Sequence, residues 1–553
     1  MTLCLEPASK HGVRETGNGK PATGNVPPMP PTLVTAASIR TATGVVGDAL
    51  VVDGGRIAAL GWADRLRADG LEERRYDGTI IPGLRDAHLH PLGHAATLTT
   101  SSLKQATDFV DLADRIAEAA RRLPTTAALM ALRLDDETLA EQRLPDRHFL
   151  DAITGDRPTM LLRYCGHVAV ANTAALAVAG ITRTTQDPNG GSFDRESDGT
   201  PTGVLREEAI GPVADALLPL TPPVGADALI AASYGLASVG LTGVGAMAWT
   251  DSGPWSGGDP EVDRIIDAAD LLAVDMRVIV VAASPDDLER AAERLESAGE
   301  RVRFAGVKMF SDGSLGGHTA AMHAGFADDP EQTGTDRLDP AWAYELARAS
   351  LRLGGLVAIH AIGDRANTNV LDLMERLIAE GADPARLRVE HASVLTEADI
   401  ARFGRLGITA SVQPAFIASE TEWLEKRVGP DRLRRTYPFR SLIDAGTPLA
   451  GGSDCPVEPP QPLWGMAAAR DRCGIVPEEG LTAEEALALF TDDAARAIGD
   501  DASLIAGAPA SFTVLDIDPV DSSATDLRGA SVMDTWLEGM PVAIPAGTVA
   551  WNE

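Results

Sequence analysis

At 553 residues the chain is longer than one hydrophobic core usually organises, so a large domain and at least one smaller one are expected. Its apolar residues, 44% of the total, come in short runs, none near the roughly 18 consecutive positions a membrane-spanning helix needs. A formal net charge of −32 argues against nucleic acid and anionic membrane surfaces as partners, because both are polyanions.

Residues 1–31 are rich in Gly, Pro and Thr, end on Pro27, Pro28, Pro30 and Pro31, and carry no apolar signal-peptide core. They read as a disordered tail. Cys4, Cys165, Cys455 and Cys473 are widely scattered without a C-x-x-C spacing, which points to a reducing cytoplasm. From Thr32 to Tyr76 short β runs alternate with tight turns, and Asp53-Gly54 between two apolar runs signals a hairpin. Similar runs return at 511–515 and 532–537. Neither end has enough strands to bury a face alone, so 32–76 and 503–553 are expected to join in one small β-sandwich domain.

The run Ile80-Ile81-Pro82-Gly83-Leu84-Arg85-Asp86-Ala87-His88-Leu89-His90 ends in two histidines one residue apart. On a strand, residues i and i+2 share a face, so His88 and His90 can reach one metal ion. Residues 97–235 read as an insertion holding an amphipathic helix over 108–123 and a hairpin across Asp198-Gly199. Further apolar runs follow at 241–247, 276–282, 304–310, 355–360, 387–391, 408–413 and 448–454, separated by helices such as 342–352 and 368–380. A last helix opens at Thr482-Ala483-Glu484-Glu485, a capping-box signature. Eight strand–helix units over 77–502 predict an α/β fold, a (β/α)8 TIM-like barrel.

The active site of such a barrel lies at the C-terminal ends of its strands. Those ends carry His88 and His90 on strand one, Lys308 on four, His360 on five, His391 on six and Asp454 on eight. The chain has five lysines, and only Lys308 sits inside an apolar strand. Burying an ammonium costs several kcal/mol unless it is paired or neutralised. A salt bridge to Asp312 would satisfy it; alternatively, the neutral amine adds carbon dioxide and becomes a carbamate able to bridge two metals.

These stretches resemble the amidohydrolase superfamily, in particular its amidohydrolase family 3 branch, which includes N-substituted formamide deformylases. The resemblance is carried by Pro82-Gly83-Leu84-Arg85-Asp86-Ala87-His88-Leu89-His90, Gly166-His167 with Asn172, and Lys308-Met309-Phe310-Ser311-Asp312-Gly313-Ser314-Leu315. It continues through His360-Ala361-Ile362-Gly363-Asp364, Glu390-His391-Ala392, Val412-Gln413-Pro414 and Gly452-Ser453-Asp454-Cys455-Pro456-Val457. It implies that His88 and His90 hold one divalent ion, His360 and His391 a second, and carbamylated Lys308 bridges them. Asp454 would bind the first ion and act as the base. Zinc suits such ligands, as do other divalent ions, and one or two ions are compatible with the set. The implied reaction is hydrolysis of a non-peptide carbon–nitrogen bond in a small molecule, an N-substituted formamide among the options. His167, His318 and Gln413 are expected to contact the substrate, His318 from a Gly-rich loop able to close over the site. Cys455 stands where the family often has an aromatic residue, which puts a thiol near the site.

A mononuclear deaminase or cyclic-amide hydrolase on the same scaffold is the nearest rival, and Lys308 counts against it. A catalytically silent metal-binding regulatory protein is the rival from another class. A homo-oligomer stays open.

Overall fold

The computed structural model describes residues 30–99, 103–164, 167–188, 191–221, 224–251, 253 and 260–551. The tail expected over 1–31 lies outside the described residues apart from Pro30 and Pro31, as do Cys165 and Gly166 of the motif before His167.

Eight parallel strands form the barrel: β1 (Leu84–Leu89), β2 (Leu241–Trp249), β3 (Asp275–Val281), β4 (Val302–Phe310), β5 (Leu356–Ala361), β6 (Leu387–His391), β7 (Thr409–Val412) and β8 (Leu449–Gly451). Each pairs with its successor in the chain, and β1 pairs with β2. The seam between β1 and β8 closes at the site residues themselves. Asp454 N donates to His88 O at 2.8 Å, and His90 N donates to Cys455 O at 2.8 Å. Strand β8 is shorter than the run over 448–454, because the chain leaves the ladder at Gly452 and turns left-handed at Asp454 (φ 55°).

The opening run is two strands rather than one. Thr79–Pro82 belongs to a second sheet, and the chain crosses into the barrel at Gly83. A Cβ there would meet the Thr242 side chain at 2.3 Å, so only glycine fits the crossing. That second sheet has eight strands and joins the two chain ends: Thr79–Pro82 pairs in parallel with Thr32–Thr41 and antiparallel with Phe512–Leu515. Val34, Leu50, Ile57, Ile80, Phe512, Val514 and Trp536 share its core. The hairpin expected at Asp53-Gly54 is the second in this sheet and turns on Gly54 (φ 55°) and Gly55 (φ 79°), the left-handed pair a two-residue loop requires.

Between β1 and β2 the chain builds a five-stranded sheet in the order Gly191–Arg195, Pro201–Glu207, Val168–Ala171, Thr159–Arg163, Leu129–Leu134. The first two strands are the hairpin expected across Asp198-Gly199. A helix over Phe109–Arg122 precedes them, capped by the Asp108 side chain accepting from Val110 N and Asp111 N. The capping box at Thr482 and Glu485 is formed reciprocally.

Candidate metal centre

Strand alternation sets most of the site. On β1, Asp86 and His88 face the barrel axis, and Asp86 accepts from His88 N, Ser453 N and Ser453 Oγ, which ties the start of the site to the turn that carries Asp454. On β4, Lys308 is buried, with its Nζ 3.5 Å from His88 Nε2 and 4.6 Å from the centre of the Phe310 ring. On β6, Glu390 faces inward and meets His88 Nδ1 at 2.7 Å. His391 follows it directly yet also lines the cavity, because its backbone is left-handed (φ 73°) and breaks the alternation.

Asp454 Oδ1 lies 3.1 Å from His88 Nε2 and 3.2 Å from His90 Nε2. Ligand atoms of His88, His391 and Asp454 all fall within 4.8 Å of one another. The rings of His88 and His391 are 5.1 Å apart, and those of His391 and His360 4.6 Å apart. The structure thus groups His391 with His88 and Asp454. His360 stands beside them, but its Nε2 is 3.0 Å from Gly313 O and 3.2 Å from Asp312 Oδ1. Asp312, the sequence's alternative partner for Lys308, accepts instead from Ala321, Ile362 and Gly363 backbone N–H groups. Lys308 has no carboxylate within ion-pair distance among the described residues.

The chemistry of these donors fits a cation. Glu390 is fully buried; burial alone would raise its carboxyl, but the guanidinium of Arg388 and the ring of His88 outweigh it and hold it well below the usual carboxylate range. An ionised carboxylate only accepts, so His88 donates through Nδ1, and a singly protonated ring turns its Nε2 lone pair toward Asp454. Burial would likewise raise Asp454, yet His88, His90 and His391 bring it well below its ordinary value. His88 Nε2 and Asp454 Oδ1, 3.1 Å apart, could both reach one positive ion, and the Glu390 carboxylate behind the imidazole would then fix the ligand tautomer. Burial lowers His90, His360 and His391, favouring the neutral rings that metals bind. It also lowers Lys308 to about 8, against Glu390 and Asp454.

The centre opens into a cavity of about 490 Å³, lined near the metal residues by Trp249, Phe310, Ile362 and Phe416. Trp249 stacks on His90 at 5.6 Å and on Phe310 at 6.2 Å. His167 reaches the same cavity from the insertion, its ring 6.1 Å from that of His360 and its Nδ1 2.7 Å from Glu207 Oε2.

The amidohydrolase family profile matches residues 77–543. The chain belongs to the amidohydrolase family. Among its relatives, the Bacillus subtilis (strain 168) protein named as the amidohydrolase YtcJ is 32% identical over 515 residues, 90% of this chain and 96% of the relative. The N-substituted formamide deformylase of Arthrobacter pascens is 29% identical over 539 residues, 92% of this chain and 97% of the relative. A crystal structure of an uncharacterized metal-dependent hydrolase from Pyrococcus horikoshii OT3 superposes with a TM-score of 0.70 at 26% identity, covering 89% of this chain and 99% of that one. The chain thus falls in a family of metal-dependent hydrolases, with His88, His391 and Asp454 as its candidate metal site.

Two residues expected to contact the substrate, His318 and Gln413, lie off the cavity wall. His318 is not on the cavity wall: its backbone is left-handed (φ 58°), its Nε2 is 3.1 Å from Asp328 Oδ1, and its ring packs on the edge of Phe326. Gln413 does not face the cavity either; its Oε1 accepts from His391 Nδ1 at 2.7 Å and orients that ring. Cys455, expected near the site, is buried beside Asp454, its carbonyl accepting from His90 N at 2.8 Å. Trp249, Glu207 and Arg133 carry no motif in the sequence, and Glu390 stands in its motif without an assigned role. Glu390 and Arg388 did leave a signal, two charges spaced i, i+2 in the otherwise apolar β6. Glu207 left none, because its partner His167 is 40 residues away.

Proposed function

We propose that this chain hydrolyses a non-peptide amide bond, with an N-substituted formamide as the leading substrate class. The observation that carries the reading is the cluster of His88, His391 and Asp454, whose ligand atoms lie within 4.8 Å of one another, backed by Glu390. His88, His90, His391 and Asp454 would hold divalent metal, zinc being well suited to them, and His360 and Lys308 would complete a second position. Bound there, the metal polarises a carbonyl and makes water a stronger nucleophile near neutral pH.

The chain's own residues do the rest. Lys308, buried and without a carboxylate partner among the described residues, is placed to add carbon dioxide as the neutral amine; its nitrogen forms the carbamate C–N bond, one N–H proton leaves, and the product is an anion that could serve as a ligand. Asp454 accepts the proton of the attacking water and returns it to the leaving amine. His167, braced by Glu207, contacts the substrate, while Trp249, Phe310 and Phe416 enclose its apolar substituent and keep bulk water out. The deformylase relative from Arthrobacter supports the choice of substrate. Free thiols at Cys455 and Cys473 fit a cytoplasmic setting.

A one-metal version has a specific observation in its favour, because His360 Nε2 is engaged by Gly313 O at 3.0 Å. The test of the function is formate and amine release from N-benzylformamide by metal-replete protein, compared with an acetamide, a hydantoin and an ester. Turnover of the formamide above the others supports the reading; hydrolysis of the ester or hydantoin alone contradicts it.

A further inference from the structure

Of the three arginines on the cavity wall, one has no carboxylate partner among the described residues. Arg163 donates to Asp136 Oδ1 at 2.6 Å, and Arg337 lies 3.4 Å from Glu207 Oε2 and also bonds Glu208. Arg133 forms no ion pair among the described residues. It is 2% exposed, its Nε and Nη1 have no hydrogen-bond partner, and its one polar contact is Nη2 to Val457 O at 3.4 Å. A buried guanidinium carries five N–H donors, and leaving them unsatisfied is costly.

The fold goes out of its way to aim this side chain. Leu129–Leu134 and Thr159–Arg163 pair in parallel, with Ala131 opposite Leu161 and Leu134 opposite Arg163, so the first strand holds one extra residue between those pairs. Arg133 lies in that bulge with φ 66°. Bulges re-aim side chains, and left-handed backbone at a non-glycine residue is strain that persists where the surroundings enforce it. Trp551 supports the guanidinium from one side, 4.3 Å from its carbon to the ring centre. The contact to Val457 puts the head group three residues along the chain from Asp454, on the loop that leaves the metal centre. Burial draws the Arg133 pKa below its ordinary value against the opposing charge of Glu458, which nevertheless makes no ion pair with it.

We propose that Arg133 is a specificity-determining residue that binds a carboxylate on the substrate, so the natural substrate is an amide bearing an anionic group remote from the scissile bond. This deepens the amide-hydrolase reading and rests on it for the word substrate. A planar carboxylate matches a guanidinium fork, and hydrogen bonds to charged groups discriminate by about tenfold or more.

The experiment uses metal-replete protein and two formamides with the same scissile bond, N-benzylformamide and 4-(formamidomethyl)benzoate. Wild type is expected to favour the carboxylate in kcat/KM by about tenfold or more, chiefly through KM. Arg133→Met brings that ratio to about one or below, and Arg133→Lys, which keeps the charge without the planar fork, retains part of it. Calorimetric titration of wild type and R133M with 4-methylbenzoate and neutral 4-methylbenzamide separates this claim from the reaction. If neither formamide turns over but wild type binds the benzoate over the benzamide and R133M does not, the hydrolase reading falls and the Arg133 site stands. No carboxylate preference in wild type overturns the proposal, as does a preference that survives in R133M, which would place the carboxylate on the metal. Should R133M not fold, the wild-type ratio and its reduction in R133K decide.

Discussion

Glu390 Oε2 sits 2.7 Å from His88 Nδ1, on the far side of the ring from Asp454. The carboxylate fixes which nitrogen of His88 carries the proton and makes the other more basic. Glu390→Gln keeps the shape and removes the charge, so metal affinity should fall by about 10–100-fold. Competition against a chromogenic chelator measures it, and an unchanged affinity would show that Glu390 serves only packing.

Arg388 lies beneath that carboxylate, bonding Glu390 through Nε, Ala497 O at 3.0 Å through Nη1 and Ala87 O at 2.8 Å through Nη2. Arg388→Met leaves Glu390 buried without its cation. The expected cost is about 3–5 kcal/mol in unfolding free energy from denaturant titration of the metal-free protein. A loss under about 1 kcal/mol would mean that the pair contributes little beyond its packing.

Under the proposed carbamate role, Lys308→Ala should bring bound metal and formamide turnover to below about a tenth of wild type, because it removes the group that would bridge. A small carboxylate added to the variant should restore part of the activity by supplying that anion. Full metal content and full activity in K308A would remove the bridging role.

How much of this was readable beforehand follows from backbone geometry. His88, His90, Lys308 and His360 stand at or near the C-terminal ends of parallel strands, so their convergence is legible from position. His391 and Asp454 depend on left-handed backbone (φ 73° and 55°), yet both stand at strand ends and were still found by position. His318 and Gln413 were assigned by neighbourhood, and the chain turns each away from the cavity into a hydrogen bond with Asp328 or His391. Arg133 and Glu207 were invisible because their meaning lies in tertiary contacts, one in a parallel-strand bulge and the other in a pairing across the insertion's sheet.

Glu420 on the cavity wall offers a pH test away from the metal residues. Burial lifts its carboxyl to about 8, against the Tyr437 hydroxyl that donates to it at 2.7 Å and with Glu458 adding to the rise. Between an unfolded value near about 4.3 and the folded value, the folded chain holds a proton the unfolded chain has lost, so stability falls as pH rises through that window. Glu420→Gln removes this dependence. Its stability advantage over wild type should grow from pH about 5 to about 8, by up to a few kcal/mol. Parallel unfolding profiles for the two proteins would contradict the raised carboxyl.

The most direct test of the metal centre is the metal content of the purified protein, measured together with N-benzylformamide hydrolysis before chelation, after it, and after zinc is returned. One or two divalent ions per chain are expected, with loss of turnover on their removal and recovery on reconstitution. Turnover that persists in fully chelated protein would contradict a metal-dependent reaction.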